Sequence, residues 1–265
     1  MNNRLAALFV AIAITGLVSC KKDKAKDPVP EAPARMLSSI EENDFRVAAF
    51  TYNSDGTIKE IHTSTSPGNT TTFTFTYNAE KKPVEFVSDE GYKSRYVYLN
   101  GTLDRTENFE NGKKVSESVF TYENGKIKSN TLFTGFPQHD GSVLYRPTFR
   151  TVYTYHTNGW LMKTSAYVLS QPGGSLELDH EYVYYTYDDK KNPLFVISEF
   201  SQIMLHQPVQ ANNPLIERRL NAQGAIEETT MYSYTYDAAG YPLTARASTA
   251  VQTGDPLIIN TKFNY

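Results

Sequence analysis

The side chains able to do chemistry are few and scattered. Five histidines, His62, His139, His156, His180 and His206, are spread along the chain, and none has the one-turn spacing of a helical metal site. Asp179-His180-Glu181 is the densest run of ligand-type residues. In a strand, successive side chains point to opposite faces, so His180 is expected to face away from both carboxylates and no metal site forms. His139-Asp140 is a second acid–base pair, within residues 135–147, a stretch that reads as a long loop. A hydrolase would have its site there, and a turn explains the same residues. The chain has no Gly-x-Ser-x-Gly elbow, Walker loop or dinucleotide fingerprint. Asp55, Asp188, Asp189 and Asp237 have calcium chemistry, but they fall in separate hairpins. Trp160 follows Gly159 at a turn exit, where an exposed ring could stack on a sugar or anchor a partner; cross-strand packing is the other reading. These residues call for no cofactor, and the expectation is a protein that is not an enzyme.

Cys20 is the single cysteine, which excludes an internal disulfide framework. It follows Arg4 and an apolar run, residues 5–18, too short for a comfortable membrane span. The run ends in Leu17-Val18-Ser19-Cys20, which resembles the bacterial lipobox. That resemblance implies cleavage before Cys20 and lipidation of Cys20. Residues 1–19 are then a signal peptide, 20–43 a disordered tether rich in charge and proline, and 44–265 a single β-domain. Lys21, in place of Asp, implies the outer membrane, on its periplasmic or cell-surface face. The membrane is thus one partner, with a glycan, a lipid or an envelope protein as further candidates. A net charge of −3 gives no basic excess for nucleic acid.

The β-domain is organised by one motif, aromatic-x-Tyr. It recurs at Phe50/Tyr52, Phe75/Tyr77, Tyr96/Tyr98, Phe120/Tyr122, Tyr153/Tyr155, Tyr185/Tyr187, Tyr234/Tyr236 and Phe263/Tyr265. Turn residues such as Asn100-Gly101, Glu123-Asn-Gly125 and His156-Thr-Asn-Gly159 follow most of them. Runs such as Phe73-Thr-Phe-Thr-Tyr77 put aromatics on one face and hydroxyls on the other, so one face is buried. About fifteen strands are predicted, with every aromatic-x-Tyr turn at one end. The stretch 193–213 must begin and end at that same end. Asn192 before Pro193, and Val196, Phe200 and Ile203 on one face, predict a helix near 194–206. So long an antiparallel meander should curl into a barrel or half-barrel, with the helix as plug or edge cover. Charged residues such as Lys114 and Glu181 interrupt any lipid-facing band, which favours a body outside the bilayer.

Tyr234-Thr-Tyr-Asp237, Asn192-Pro-Leu194 and Asn212-Asn-Pro214 occur together with the lipobox and a Lys/Asp tether. This combination resembles Gram-negative lipoproteins of gut-commensal type with a porin-like β fold. The Tyr-Thr-Tyr-Asp hairpins also resemble YD, or RHS-type, repeats. The first resemblance implies a lipid-anchored envelope protein and carries no activity or site residues with it. The expected function is a structural or binding module. The alternative is a carrier of a lipid or other lipophilic ligand in an aromatic-lined cavity.

Overall fold

The computed structural model describes residues 35–171, 173–197, 208–251 and 254–265. Sixteen strands follow in hairpin order. The first eight are β1 (Ser39–Glu42), β2 (Phe45–Tyr52), β3 (Ile58–Ser66), β4 (Asn69–Tyr77), β5 (Pro83–Ser88), β6 (Tyr92–Leu99), β7 (Thr102–Glu110) and β8 (Lys113–Glu123). The second eight are β9 (Lys126–Pro137), β10 (Val143–Tyr155), β11 (Leu161–Leu169), β12 (Leu176–Tyr187), β13 (Pro214–Asn221), β14 (Ile226–Tyr236), β15 (Pro242–Val251) and β16 (Leu257–Asn264). Each pairs antiparallel with its sequence neighbours, and β1 pairs with β16, which closes a barrel. The fifteen predicted strands are all present. The sixteenth, β1, lies in the stretch read as tether, so the folded body starts earlier than residue 44. Its four residues, Ser-Ile-Glu-Glu, are too short a run to carry a strand pattern, and it becomes a strand by pairing with both β16 and β2.

The aromatic face is the inner face. Phe50, Phe73, Phe75, Phe86, Tyr96 and Phe120 are buried in one cluster that runs round the lumen to Phe263. Fully burying a ring such as Phe86 contributes about 2–3 kcal/mol. Seven returning strands carry the same irregularity. The register slips beside Tyr52, Tyr77, Tyr98, Tyr122, Tyr155, Tyr187 and Tyr236, leaving one extra residue on the partner strand. Such a bulge reverses the alternation beyond it. The first residue after each turn and the third one on therefore both point inward: Ile58 and Ile61, Pro83 and Phe86, Leu103 and Thr106, Ile127 and Asn130, Leu161 and Thr164, Pro242 and Ala245. All of these are buried.

The tyrosines link one unit to the next. The Tyr98 hydroxyl donates to the Pro83 carbonyl at 2.9 Å, Tyr122 to Leu103 at 2.7 Å, and Tyr155 to Ile127 at 2.9 Å. Tyr187 donates to Leu161, Tyr234 to Pro214, Tyr265 to Pro242 and Tyr52 to Leu37. Each acceptor stands at or close to the start of the preceding strand that runs away from the turn end, so the bonds form a belt there. For most of the motifs this explains why the last residue is Tyr rather than Phe: the ring packs against the lumen core and the hydroxyl satisfies a backbone carbonyl, whereas at Tyr234/Tyr236 the first tyrosine makes that bond and the second donates to Asp188.

Three sequence expectations change in detail. Residues 135–147 are not a loop: β9 and β10 stay paired up to Pro137 and Val143, and only a tight turn separates them. Proline and glycine inside this hairpin hid the strands. At the end of β12 two adjacent register shifts turn Tyr184 and Tyr187 inward and leave Tyr185 outside, 4.6 Å from the Arg218 guanidinium. The pair Tyr185/Tyr187 therefore does not share a face. The segment after β12 opens with a 3-10 turn, Pro193–Ile197; the rest of the predicted helix, 198–206, lies outside the described residues. On the outer face Glu85, Arg95, Glu107 and Lys114 form a charged ladder across β5 to β8. Charges at mid-strand are costly against lipid.

Candidate functional site

The described ends of the connection between β12 and β13, 188–197 and 208–213, meet at the turn end and are zipped together by polar side chains. Asp188 is the hub. Its carboxylate accepts from the Lys190 and Asn213 backbone N–H groups, from the Asn213 amide at 3.0 Å and from the Tyr236 hydroxyl. Asn213, 2% exposed, also donates to the Lys191 carbonyl. The Asn212 amide donates to the Lys190 carbonyl at 3.1 Å, and the Asn192 backbone N–H to the Ala211 carbonyl at 2.8 Å. The Asn192 carboxamide accepts from the Leu194 N–H at 2.9 Å, capping the 3-10 turn. The paired Asn-Pro motifs of the sequence are thus the two ends of this zip.

Beneath it the lumen holds a cavity of about 300 Å³. Its walls include Leu161, Tyr184, Tyr187, Glu217, Tyr232 and Tyr234, with Pro193 and Leu194 above. The rings come in two pairs: Tyr232 and Tyr234 stack with centroids 6.4 Å apart, and Tyr184 lies 6.3 Å from Tyr187. Glu217 occupies the inward third position that the β13 bulge creates, opposite Tyr184. Burial pushes its carboxyl from the ordinary 4.5 up to about 7; the hydrogen bond from the Tyr184 hydroxyl works against this, and Glu228 adds to it. Burial also holds the Tyr184, Tyr187, Tyr232 and Tyr234 hydroxyls above the ordinary tyrosine value, so they stay protonated. The arrangement can stack on an apolar body and offer it the carboxyl groups of Glu217 and Glu42.

The residues singled out from sequence lie elsewhere or at the rim. Trp160 is half-buried at the turn end, its ring 5.4 Å from that of Tyr187, and it also lines an open depression of about 590 Å³. His139-Asp140 sits on the far tip. There the Asp140 carboxylate accepts from the Ser142 hydroxyl and N–H, which hold it below the usual carboxylate range, as a turn residue requires. Asp179 and His180 do meet, at 2.6 Å, contrary to the alternation argument, because a bulge beside them breaks the alternation. Glu181 turns instead to Lys163 and Ser165, so the three do not converge. Among the described residues no cluster of three His, Cys, Asp or Glu could hold a metal. Asp55 and Asp237 each cap their own turn. Cys20 lies outside the described residues. Glu217 was missed, yet a signal exists: it stands three residues after Pro214, as Phe86 stands after Pro83 and Ala245 after Pro242.

Fold and site together define a closed sixteen-stranded antiparallel barrel whose lumen is lined by aromatic side chains and holds, among the described residues, a cavity beside Glu217. Solved structures with a similar fold include two porin-like proteins. A porin-like protein from Bacteroides uniformis matches with a TM-score of 0.56 at 14% identity, over 86% of this chain and 96% of that one. A porin-like protein from Bacteroides vulgatus matches with a TM-score of 0.55 at 11% identity, over 87% and 99%. The chain has the porin-like β fold that its motifs resembled. A chain of the Photorhabdus luminescens Tc holotoxin pore matches at 11% identity over 80% of this chain and 13% of that one, with a TM-score of 0.28, too low to argue from. No protein-family model and no curated protein sequence matches.

Proposed function

We propose that the protein is a non-enzymatic binding barrel, anchored in the outer membrane through lipidated Cys20, with its ligand seat in the lumen beside Glu217. One observation carries the proposal. Inward pairs three residues apart occur eight times, counting Leu37 and Ile40, and seven of the pairs are buried. Only Pro214 and Glu217 fall short of full burial, and the cavity lies there. A defect at one unit of a repeated, filled core is what a binding site looks like in such a scaffold. A volume of about 300 Å³ is at the lower end of small-molecule pockets. It suits a compact ligand or a single head group and is too small for the paired chains of a membrane lipid. The carrier reading therefore narrows to a small lipophilic ligand.

The test is native mass spectrometry of the full chain taken from its own envelope, alongside the variant Ala247→Phe, which fills the cavity wall. A small molecule retained by the parent and lost from the variant is expected. An empty parent protein, or a ligand retained equally by both, would overturn the seat. A lipid-labelled N-terminal peptide carrying Cys20 tests the anchor separately.

A further inference from the structure

We infer that the seat beside Glu217 takes a compact organic cation, an ammonium or amine, rather than a neutral or anionic ligand. The inference rests on the lumen being the ligand seat. The first support is positional. Glu217 holds the place that Ile40, Ile61, Phe86, Thr106, Asn130, Thr164 and Ala245 hold in the other units, and it alone can carry charge. The second is the sign of the wall. Glu42 also lines the cavity, and no Lys, Arg or His is among its described lining residues. Arg219, two residues along β13, is committed to Glu227. Two outer-face carboxylates, by contrast, have basic partners: Glu181 has Lys163 at 2.8 Å, and Glu107 has Arg105 at 3.2 Å. The third is the aromatic lining. The Tyr187 and Tyr234 hydroxyls are already donated to backbone carbonyls, so these rings offer a ligand their π-faces more than their oxygens. Tyrosine faces around a carboxylate attract a cation most strongly where water is excluded. A cation also resolves the buried acid, whose ionisation is otherwise opposed by desolvation.

The test uses choline and its uncharged carbon isostere, 3,3-dimethyl-1-butanol, titrated calorimetrically into the full chain at pH 8. Choline is expected to bind at least ~10-fold tighter than the isostere, and Glu217→Gln to abolish the difference. A second measurement needs no variant. Choline has a fixed charge, so its affinity should rise between pH 5 and pH 8 as Glu217 ionises. The groups facing Glu217 are Tyr182, Tyr184 and Tyr187 on β12 and Glu228, Tyr232 and Tyr234 on β14, with Glu42 across the cavity, and burial holds all of these tyrosines above their ordinary value, outside that range. Equal binding of choline and the isostere would overturn the charge preference and leave the seat standing. Failure of both to bind would overturn the inference as well, and the seat itself would then be judged by Ala247→Phe and the retained ligand.

Discussion

Replacing Glu217 with Gln should make the barrel more stable at neutral and alkaline pH, although Glu217 is the residue on which the site is built. The carboxyl titrates near 4.5 when unfolded and at about 7 when folded. Between these values the folded state holds a proton that the unfolded chain has released. Stability therefore falls as pH rises from about 4.5 to 7, then levels off. Each pKa unit is worth about 1.4 kcal/mol, so the whole fall is roughly 3 kcal/mol. Gln is uncharged and nearly isosteric, so the variant should lack this component and match the parent near pH 4.5. At pH 8 it should be about 3 kcal/mol more stable, or roughly 6–12 °C in melting temperature for a domain of this size. Urea unfolding of both proteins at intervals from pH 4.5 to 8 measures the difference directly, because other titrating groups cancel between them. Parallel pH profiles would refute the claim that the lumen desolvates this carboxyl.

Four further perturbations follow from the fold. Tyr122→Phe keeps the ring and removes the bond to the Leu103 carbonyl; it should cost about 1 kcal/mol or more in denaturant unfolding. Asp188→Ala strips Asn213 and Tyr236 of their shared acceptor; it should cost about 1–3 kcal/mol and hasten proteolysis within 193–213, with the barrel strands still protected from hydrogen exchange. Phe86→Ala opens a void among the rings of Phe73, Phe75, Tyr92 and Tyr96 and should lose about 3–5 kcal/mol, read as a lowered urea midpoint. Gly159→Ala forces a side chain to φ +92° against the Lys126 ammonium, which bonds the Gly159 carbonyl; a loss of about 1–2 kcal/mol is expected.

Strands and turns were legible because their signals are local. Phe73-Thr-Phe-Thr-Tyr77 alternates over five residues, and Asn100-Gly101 and Asn124-Gly125 adopt the positive φ their types favour. The common end of the aromatic-x-Tyr turns followed from direction alone, without any contact. Bulges were not legible, since an extra residue is defined only against the partner strand. Hence Tyr185 was placed inside, and His180 was set apart from Asp179. The same bulge on β13 turns Glu217 inward, so the site could not be read one strand at a time. It becomes visible only when the eight units are aligned by their tyrosines, and the step from Pro214 to Glu217 then repeats the step from Pro83 to Phe86. β1 was unreadable for another reason: Ser39–Glu42 owes its form to a partner more than two hundred residues away.

That distant pairing has a kinetic consequence. The Ser38 hydroxyl reaches the Asn264 carbonyl across 226 positions of chain, while every other junction joins sequence neighbours. The other hairpins can assemble one upon the next, but this seam must await nearly the entire polypeptide and overcomes the largest loop entropy. Until it forms, the ribbon has two free margins whose unpaired amides can accept a strand from another molecule. Refolding should thus become concentration-dependent at its last step, with intermolecular seams as the characteristic by-product.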